Sequence, residues 1–595
     1  MASTTSDLIV ERLLDWGVDT CFGINGDQVN GFFEALRTRS ERMRFVHVRH
    51  EENAALAAVG HAKFSGRPAA CVATAGPGAV HLLNGVYDAH IDAVPLIAIS
   101  GMSYHDLIGA HLIQDLDSPA LFGDACEFSE RVMGPSHAIN ATDLAVRYAL
   151  SGSGPAHLGI PIDIQSWTED TNSPKNPAGH TSLASQAQVP VPPQEQLRNA
   201  AEVLNACERV AIIAGAGARG AGELLEQVAD ALGAPIVKAA LGKDAVPDDS
   251  PLTTGGLGLV GTRASQEALE DCDGLLVVGS STPYYEFWPE PGQARGVQID
   301  VDPSRIALRY PVEVGLAGDA EATLRVLLPL LEPRADRSFL ERAQRTTGAW
   351  WDLLREQAAS ADVPMKPQAV TWHLGQQLPD RAILTSDAGS VTMWGQRVPL
   401  RRGMAYSFSG THCSMGSALP YAIGAQLAHP DRPVVAFLGD GALSMGMGEL
   451  ATLVQHRLPV TVVVLRNDSL ALEVWEQNAL LGNPQYGCEL SGIDFARVAE
   501  GCGLTAFRVD RSEQVAETLA RALEHDGPSL VECAVDPCET PFGDVLKPAQ
   551  AENIATAYER GEPQRERMAR SLLEAGRREL SPAVRHAEPT LRRYG

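Results

Sequence analysis

The sequence predicts an α/β protein of three consecutive α/β domains with parallel sheets, followed by a C-terminal tail. Two observations point there. Short apolar runs of strand length alternate with helix-length stretches along most of the chain, the pattern of βαβ units. The chain also has 595 residues, too many for a single core.

The first domain, 1–170, has apolar runs at 45–48, 69–73 and 96–99 with helix-like segments between them. Pro, Ser, Thr and Asn then dominate, and 171–193 reads as a linker. The second domain, 194–333, repeats the alternation with runs at 210–213, 275–278 and 296–299. A helical connection, 334–365, opens with Arg334 and Arg337. The third domain, 366–545, holds runs at 382–385, 434–438 and 460–465, and 546–595 form the tail.

The third domain carries the sharpest chemical signal. Gly439-Asp440-Gly441 follows the run 434–438, and Asn467, 27 positions after Asp440, follows the run 460–465. The stretch 447–456 reads as the crossover helix between two parallel strands. Asp440 and Asn467 are therefore expected at the carboxyl ends of neighbouring strands, where open α/β sheets bind ligands. Two hard oxygen donors beside a glycine-opened helix start suit a magnesium ion bridging to a diphosphate.

Composition narrows the classes. A net charge of −26 argues against nucleic acid as a partner. The ten cysteines are scattered, with no CxxC pair, so free thiols in a reducing cytoplasm are expected. The N-terminus lacks the basic region and apolar core of a signal peptide, and no apolar run approaches membrane-spanning length.

The GDG–Asn pattern resembles the signature of thiamine-diphosphate (ThDP) enzymes of the pyruvate oxidase, acetolactate synthase and pyruvate decarboxylase superfamily. The resemblance implies Mg2+ held by the Asp440 carboxylate, the Asn467 amide oxygen and the backbone carbonyl of Ser469. Gly439, Gly441 and Ala442 would lie against the diphosphate. The chain departs from the family at Arg466, where a second Asn is usual. A second marker is Arg49-His50-Glu51 ahead of a helix-like stretch. Its match implies that Glu51 shares a proton with N1′ of the aminopyrimidine in a dry pocket, while Glu52 faces solvent or a subunit contact. The third marker is the segment 409–420. There Met415 would prop thiamine into its bent form, setting the 4′ nitrogen against the thiazolium carbon. The Cys413 carbonyl would meet the 4′-amino group, at a position where many relatives have Gly.

Smaller matches extend the resemblance. Gly76, Pro77 and Gly78 match a turn near the pyrimidine, and Asp387, Gly389 and Ser390 a second loop near the diphosphate. Gly26, Asp27 and Gln114 match the substrate side, with Ile113 where relatives carry an aromatic. Glu473 and Trp475 are further pocket candidates. The resemblance covers about 1–545 and implies pyrimidine-binding, central and diphosphate-binding domains. It also implies a homodimer or homotetramer with active sites between subunits.

The resemblance is strongest to pyruvate oxidases and quinone-linked pyruvate dehydrogenases, which hold FAD in the central domain. Here a GxGxxG run at 215–220 follows a strand, with Gly242-Lys243-Asp244 and 279–284 as further candidates. Central domains without flavin share this pattern, so both readings stay open. The implied reaction is decarboxylation of a 2-oxo acid, pyruvate first, with oxidation of the enamine that results. Carboligation of the acetolactate synthase type is the alternative. Simple decarboxylation ranks third, because the family's His-His pair is missing from the sequence. A non-catalytic relative would be expected to lack Glu51 or Asp440. From Glu562 onward the tail has eight Arg and five Glu, with Met568, Leu572 and Leu573 on a short helix. It reads as a solvated, partly ordered tail or lid rather than a membrane anchor.

Overall fold

A computed structural model of the protein describes residues 3–152, 154–168, 189–542 and 548–579. The first sheet comprises β1 (Thr20–Gly23), β2 (Arg44–His47), β3 (Ala69–Ala73), β4 (Leu96–Met102), β5 (Phe128–Arg131) and β6 (Pro155–Pro161), in the order β2-β1-β3-β4-β6-β5. The second comprises β7 (Val210–Ala214), β8 (Ile236–Lys238), β9 (Thr253–Gly256), β10 (Gly274–Val278), β11 (Arg295–Asp300) and β12 (Val314–Ala317), ordered β12-β11-β10-β7-β8-β9. The third comprises β13 (Ile383–Ser386), β14 (Ala405–Ser407), β15 (Val434–Gly439), β16 (Val460–Arg466), β17 (Thr505–Val509) and β18 (Ser529–Ala534), ordered β14-β13-β15-β16-β18-β17. All the strand pairings are parallel. Helices cover both faces of such sheets, which is why the strands read as unbroken apolar runs rather than alternating ones. The linker expected at 171–193 lies, for 171–188, outside the described residues.

The first and third sheets share one strand order. In both, the order reverses between the first strand and the third, β1 and β3 in one and β13 and β15 in the other. Loops leaving those strands part to either side and open a crevice. Every candidate residue on the loops after β1, β3, β13 and β15 therefore stands at a reversal point.

The helices that bear on the site are, in chain order, α1 (Glu51–Ser65), α2 (Pro77–Ile91), α3 (Ser338–Ala358), α4 (Ser390–Gln396), α5 (Ala418–Ala428), α6 (Asp440–Gly446), α7 (Ala471–Leu481), α8 (Pro548–Glu559) and α9 (Arg565–Glu579). α3 lies in the helical connection. The crossover expected at 447–456 is shorter: α6 ends at Gly446, and a second helix, Glu449–Gln455, follows. α1 and α5 join the first unit to the third through small residues. A Cβ on Gly424 would stand 2.1 Å from the Ala57 carbonyl oxygen, and one on Gly60 2.5 Å from Tyr421 Cα. Only hydrogen fits there, so the two backbones touch.

Of the two forms expected for the tail, the described residues 548–579 take that of a packed lid rather than a solvated segment. Its helices α8 and α9 bury Ile554, Tyr558, Met568 and Leu572 against Val474, Trp475 and Ala479 of α7. The apolar positions that sequence alone left unpartnered are thus spent inside the chain. Among the described residues no helix is long and apolar enough to cross a membrane.

Candidate active site

β15 ends at Gly439 and α6 begins at Asp440, so the carboxylate stands at the strand's carboxyl end. One oxygen accepts from the Gly441 N–H at 2.9 Å, the other from the N–H groups of Asn467 (3.0 Å) and Asp468 (2.6 Å). Burial pushes this carboxyl above its ordinary value, and the backbone donors offset only part of that. A divalent cation would reverse the balance by favouring the charged form. The Asn467 amide oxygen accepts from the Ser469 N–H at 3.1 Å, and Ser469 pairs with Glu489 in an isolated bridge. Asp440, Asn467 and Ser469 are thus gathered into one hard-oxygen set. Arg466, unexplained in the sequence, is bonded to Glu532 at 2.7 Å, and the other Glu532 oxygen accepts from the Ala496 N–H. It ties β16 to β18.

A cleft beside this set is lined by Gly389, Ser390, Met415, Gly439, Ala442 and Glu473, among others. A Cβ built on Gly389 or on Gly439 meets nothing within 4 Å, so both backbones face open space. Gly389 has φ +104°, a conformation in which a side chain is strained. The Met415 methyl lies 3.5 Å from where a Gly441 Cβ would stand, which sets it against the GDG turn. Asp387 is placed differently from its expected contact with a diphosphate. It is fully buried, and its carboxylate accepts from the N–H groups of Ala388, Gly416 and Ala418 at 2.8–2.9 Å. Burial pushes it up to about 6. It clamps the turn after Met415 to β13.

Cys413 has φ +55°, in the left-handed region, with its thiol donating to the Gly410 carbonyl at 2.9 Å. Left-handed backbone costs a β-carbon-bearing residue energy that glycine does not pay. Cys413→Gly is therefore expected to stabilise the chain by roughly 0.5–1 kcal/mol and to leave ThDP affinity unchanged, because the contact expected there is a backbone carbonyl. Thermal unfolding and cofactor titration check this; a lower melting temperature refutes it.

The other candidates form a second cluster, on the first sheet. Glu51 opens α1, with His50 as its N-cap, and its carboxylate lies 3.0 Å from Nδ1 of His81 on α2. The rings of His50 and His81 stack at 4.5 Å. A Cβ on Gly78 would be 3.4 Å from a Glu51 oxygen. One on Gly76 would be 2.7 Å from Gln114 Cβ, and one on Gly26 2.5 Å from Thr74. Asp27 accepts from the Thr74 hydroxyl at 3.3 Å. Gln114 Oε1 is buried with no hydrogen-bond partner among the described residues. Ile113, beside it, is 77% exposed.

None of the first-sheet candidates lines the third-sheet cleft. Within one chain the site therefore exists as two halves. His81 escaped the sequence reading; its signal was a lone polar side chain three positions after Gly78. Glu52, expected to face solvent or a subunit, is 35% exposed at its side chain and accepts from Asn84 at 2.5 Å. Trp475 is not a pocket residue: it is fully buried, edge-on to Phe542, under the tail helices. Glu473 does line the cleft.

The donor set fits a diphosphate and a divalent cation. It offers three hard oxygens, two open glycine backbones and, on the other half, an orphaned amide oxygen. The glycine-rich turn after β7 fits a dinucleotide less well. A Cβ on Gly215 would stand 2.1 Å from the Gly279 carbonyl oxygen, so the turns after β7 and β10 close on each other. Lys243 is buried in bonds to Asp248 and the Gln396 carbonyl, and Asp244 is held by Arg219 and the Tyr406 N–H. On the turn after β10, Tyr284 is 47% exposed, whereas Ser281 accepts from Arg305 at 3.4 Å and, at its carbonyl, from Arg309 at 3.2 Å. Burial raises the Tyr284 hydroxyl, and Cys413 and Glu476 lie near enough to add to the shift.

Comparison with known proteins gives concordant matches. Three family models of thiamine pyrophosphate enzymes match in chain order: the N-terminal TPP binding domain at 3–121, the central domain at 197–327 and the C-terminal TPP binding domain at 387–533. A Bacillus subtilis (strain 168) protein whose name describes it as thiamine pyrophosphate-containing is 36% identical over 533 residues, covering 89% of this chain and 92% of that protein. Pyruvate oxidase of Lactiplantibacillus plantarum is 30% identical, covering 89% and 88%. The acetolactate synthase isozyme 1 large subunit of Escherichia coli (strain K12) is 29% identical, covering 90% and 94%.

Proposed function

Since the chain belongs to the thiamine pyrophosphate enzymes, we propose that it decarboxylates a 2-oxo acid, pyruvate first, and passes two electrons to an acceptor in the manner of a pyruvate oxidase. The observation that carries this reading is the likeness to pyruvate oxidase along nearly the whole of both chains. The intact Glu51, Asp440 and Asn467 accompany it. When bound, ThDP supplies a carbon nucleophile for the ketone and takes up the electron pair left as CO2 departs. Asp440, Asn467 and the Ser469 carbonyl would hold Mg2+. The open backbones at Gly389 and Gly439, with Ser390, Gly441 and Ala442 beside them, would take the diphosphate. Met415 would hold the cofactor bent, the Cys413 carbonyl would accept from its amino group, and Glu51 would hold a proton at the pyrimidine. Gln114, Gly26 and Asp27 would face the substrate.

The two half-sites imply that Glu51 of one chain closes the third-sheet cleft of another, so the active unit is a homodimer or a doubled dimer. Exposed Ile113, Leu107 and Tyr104 beside the first half, and Met445 on the second, support such a contact. FAD is the acceptor this reading names, with exposed Tyr284 as the residue left to meet it.

A carboligase of the acetolactate synthase type is the second reading, favoured by the full-length likeness to the Escherichia coli enzyme. An anaerobic absorption spectrum separates the two. The oxidase reading expects a flavin band that bleaches on adding pyruvate, ThDP and Mg2+. A band that stays oxidised, or no band in protein supplied with FAD, overturns it in favour of carboligation.

A further inference from the structure

The segment 408–415, which carries Cys413 and Met415, has no helix or strand of its own, only a bend at 411–412 and a turn that begins at Met415. Its shape is imposed from outside, by the first unit of the same chain. Asn84 and Asp88 on α2, and Asp92 at its C-cap, are spaced four apart and so share one face of the helix. Each grips the segment. The Asn84 amide donates to the Ser414 hydroxyl at 2.7 Å, and its oxygen meets the His412 ring at 2.8 Å. The Asp92 carboxylate accepts from the N–H groups of Gly410 and Thr411, both at 3.2 Å. Lys63 of α1 spans from Asp92 (2.6 Å) to the Phe408 carbonyl (2.9 Å).

Asp88 is the centre of this stripe. It is fully buried, and it accepts from the Ser409 hydroxyl at 2.7 Å and from the Tyr421 hydroxyl. Ser409 in turn accepts from the Ser414 N–H at 2.8 Å. One carboxylate thus holds the segment at its start, through Ser409 at the backbone between Cys413 and Met415, and through Tyr421 on the helix that follows. Nothing else in the proposed mechanism uses it. A carboxylate buried without a direct cation is costly to keep unless several donors converge on it.

We propose that Asp88 is a positioning residue for the cofactor: through Ser409 and Tyr421 it sets the backbone that presents the Cys413 carbonyl and the Met415 side chain. Asn84 and Asp92 fix the flanks of the same segment. This rests on the reading of Met415 and Cys413 as cofactor contacts. It adds that the conformation of that wall is dictated by the first unit of its own chain.

The test compares full-length Asp88→Ala, Asp88→Asn and Met415→Ala with the unaltered protein. Amide exchange across 408–416 is read without cofactor; ThDP affinity and exchange of its C2 proton with D2O are read with Mg2+. Asp88→Ala is expected to speed exchange at the Ser414 amide by at least about tenfold. It should slow C2 exchange by roughly tenfold or more, because misplacing the wall spoils the alignment that activates the carbon. ThDP affinity should stay within about threefold, and Asp88→Asn should recover most of both effects. Met415→Ala should slow C2 exchange without touching the Ser414 amide. If Asp88→Ala does not fold, Ser409→Ala, which removes only the bridging hydroxyl, takes its place with the same expectations.

Unaltered C2 exchange in Asp88→Ala, or a loss of ThDP affinity in step with it, overturns the proposal. So does an Asp88→Asn protein no better than the Ala variant. If Met415→Ala slows C2 exchange and Asp88→Ala does not, the stripe alone fails; if neither does, the reading of the cofactor wall fails with it.

Discussion

Glu51→Gln is expected to abolish turnover while the protein still binds ThDP. Glu51 is the one carboxylate of the first-sheet cluster that opens a helix beside the 76–78 turn, and its side chain is only 15% exposed. Its role in the proposed mechanism is to hold a proton at the pyrimidine. An amide of the same shape keeps hydrogen bonding but cannot take up or release that proton. General acid–base participation of this kind is worth on the order of 10²–10⁴ in rate, so kcat should fall by at least about a thousandfold. ThDP affinity should change by less than about fivefold, since the diphosphate half of the site is untouched. The structure adds a sharper expectation. The substituted amide retains a hydrogen bond to His81, so loss of activity with an unchanged melting temperature separates chemistry from folding. Wild-type-like turnover in this variant would remove Glu51 from the mechanism.

Deleting 548–595 is expected to collapse activity although none of the segment's described residues, 548–579, lines the cleft. The tail helices bury Ile554, Tyr558, Met568 and Leu572 against α7, each worth on the order of 1.5–3 kcal/mol. Glu562 is fully buried and accepts from Asn478 Nδ2 (3.0 Å) and from the N–H groups of Gln485 (2.8 Å) and Gln564 (3.3 Å). Without it, the Gln485 N–H on the loop after α7 loses its partner, at about 1–3 kcal/mol, and Asn478 keeps only the Val474 and Asn483 carbonyls. α7 starts at the cleft, where Leu470 and Glu473 form its wall. The truncated protein should lose more than about tenfold in kcat, bind a hydrophobic dye at the bared Trp475 face and melt earlier. Glu562→Ala should show the same changes in weaker form. A truncated protein with full activity would show that α7 keeps its place unaided.

The contrast between these two sites shows what the chain discloses by itself. Strands β13, β15 and β16 were legible because parallel strands buried on both faces read as solid apolar runs, and Asp440 and Asn467 follow such runs directly. Glu51 was legible from its neighbours, not from its own type. The tail was not. Its apolar residues are outnumbered by Arg and Glu, and the surface that completes them is α7, about eighty positions earlier. Trp475 misled because adjacent helix positions differ by about 100° in direction, so a helix bordering the cleft can turn one residue inward and the next to the cap. The Asn84–Asp88–Asp92 stripe had a readable sign, three polar residues one turn apart on a largely buried helix. Its meaning depended on knowing which loop lies across from it.

The close approaches of Gly60 to Tyr421 and of Gly424 to Ala57 bear on how the molecule can move. Two helices whose backbones touch, with no side chain between them to slide or re-pack, have no second arrangement of similar energy to switch to. Such close packing disfavours hinge closure between the first and third units of a chain. Substrate entry and product release then fall to lighter parts: α7, its loop to Leu490 and the helices clasped over it.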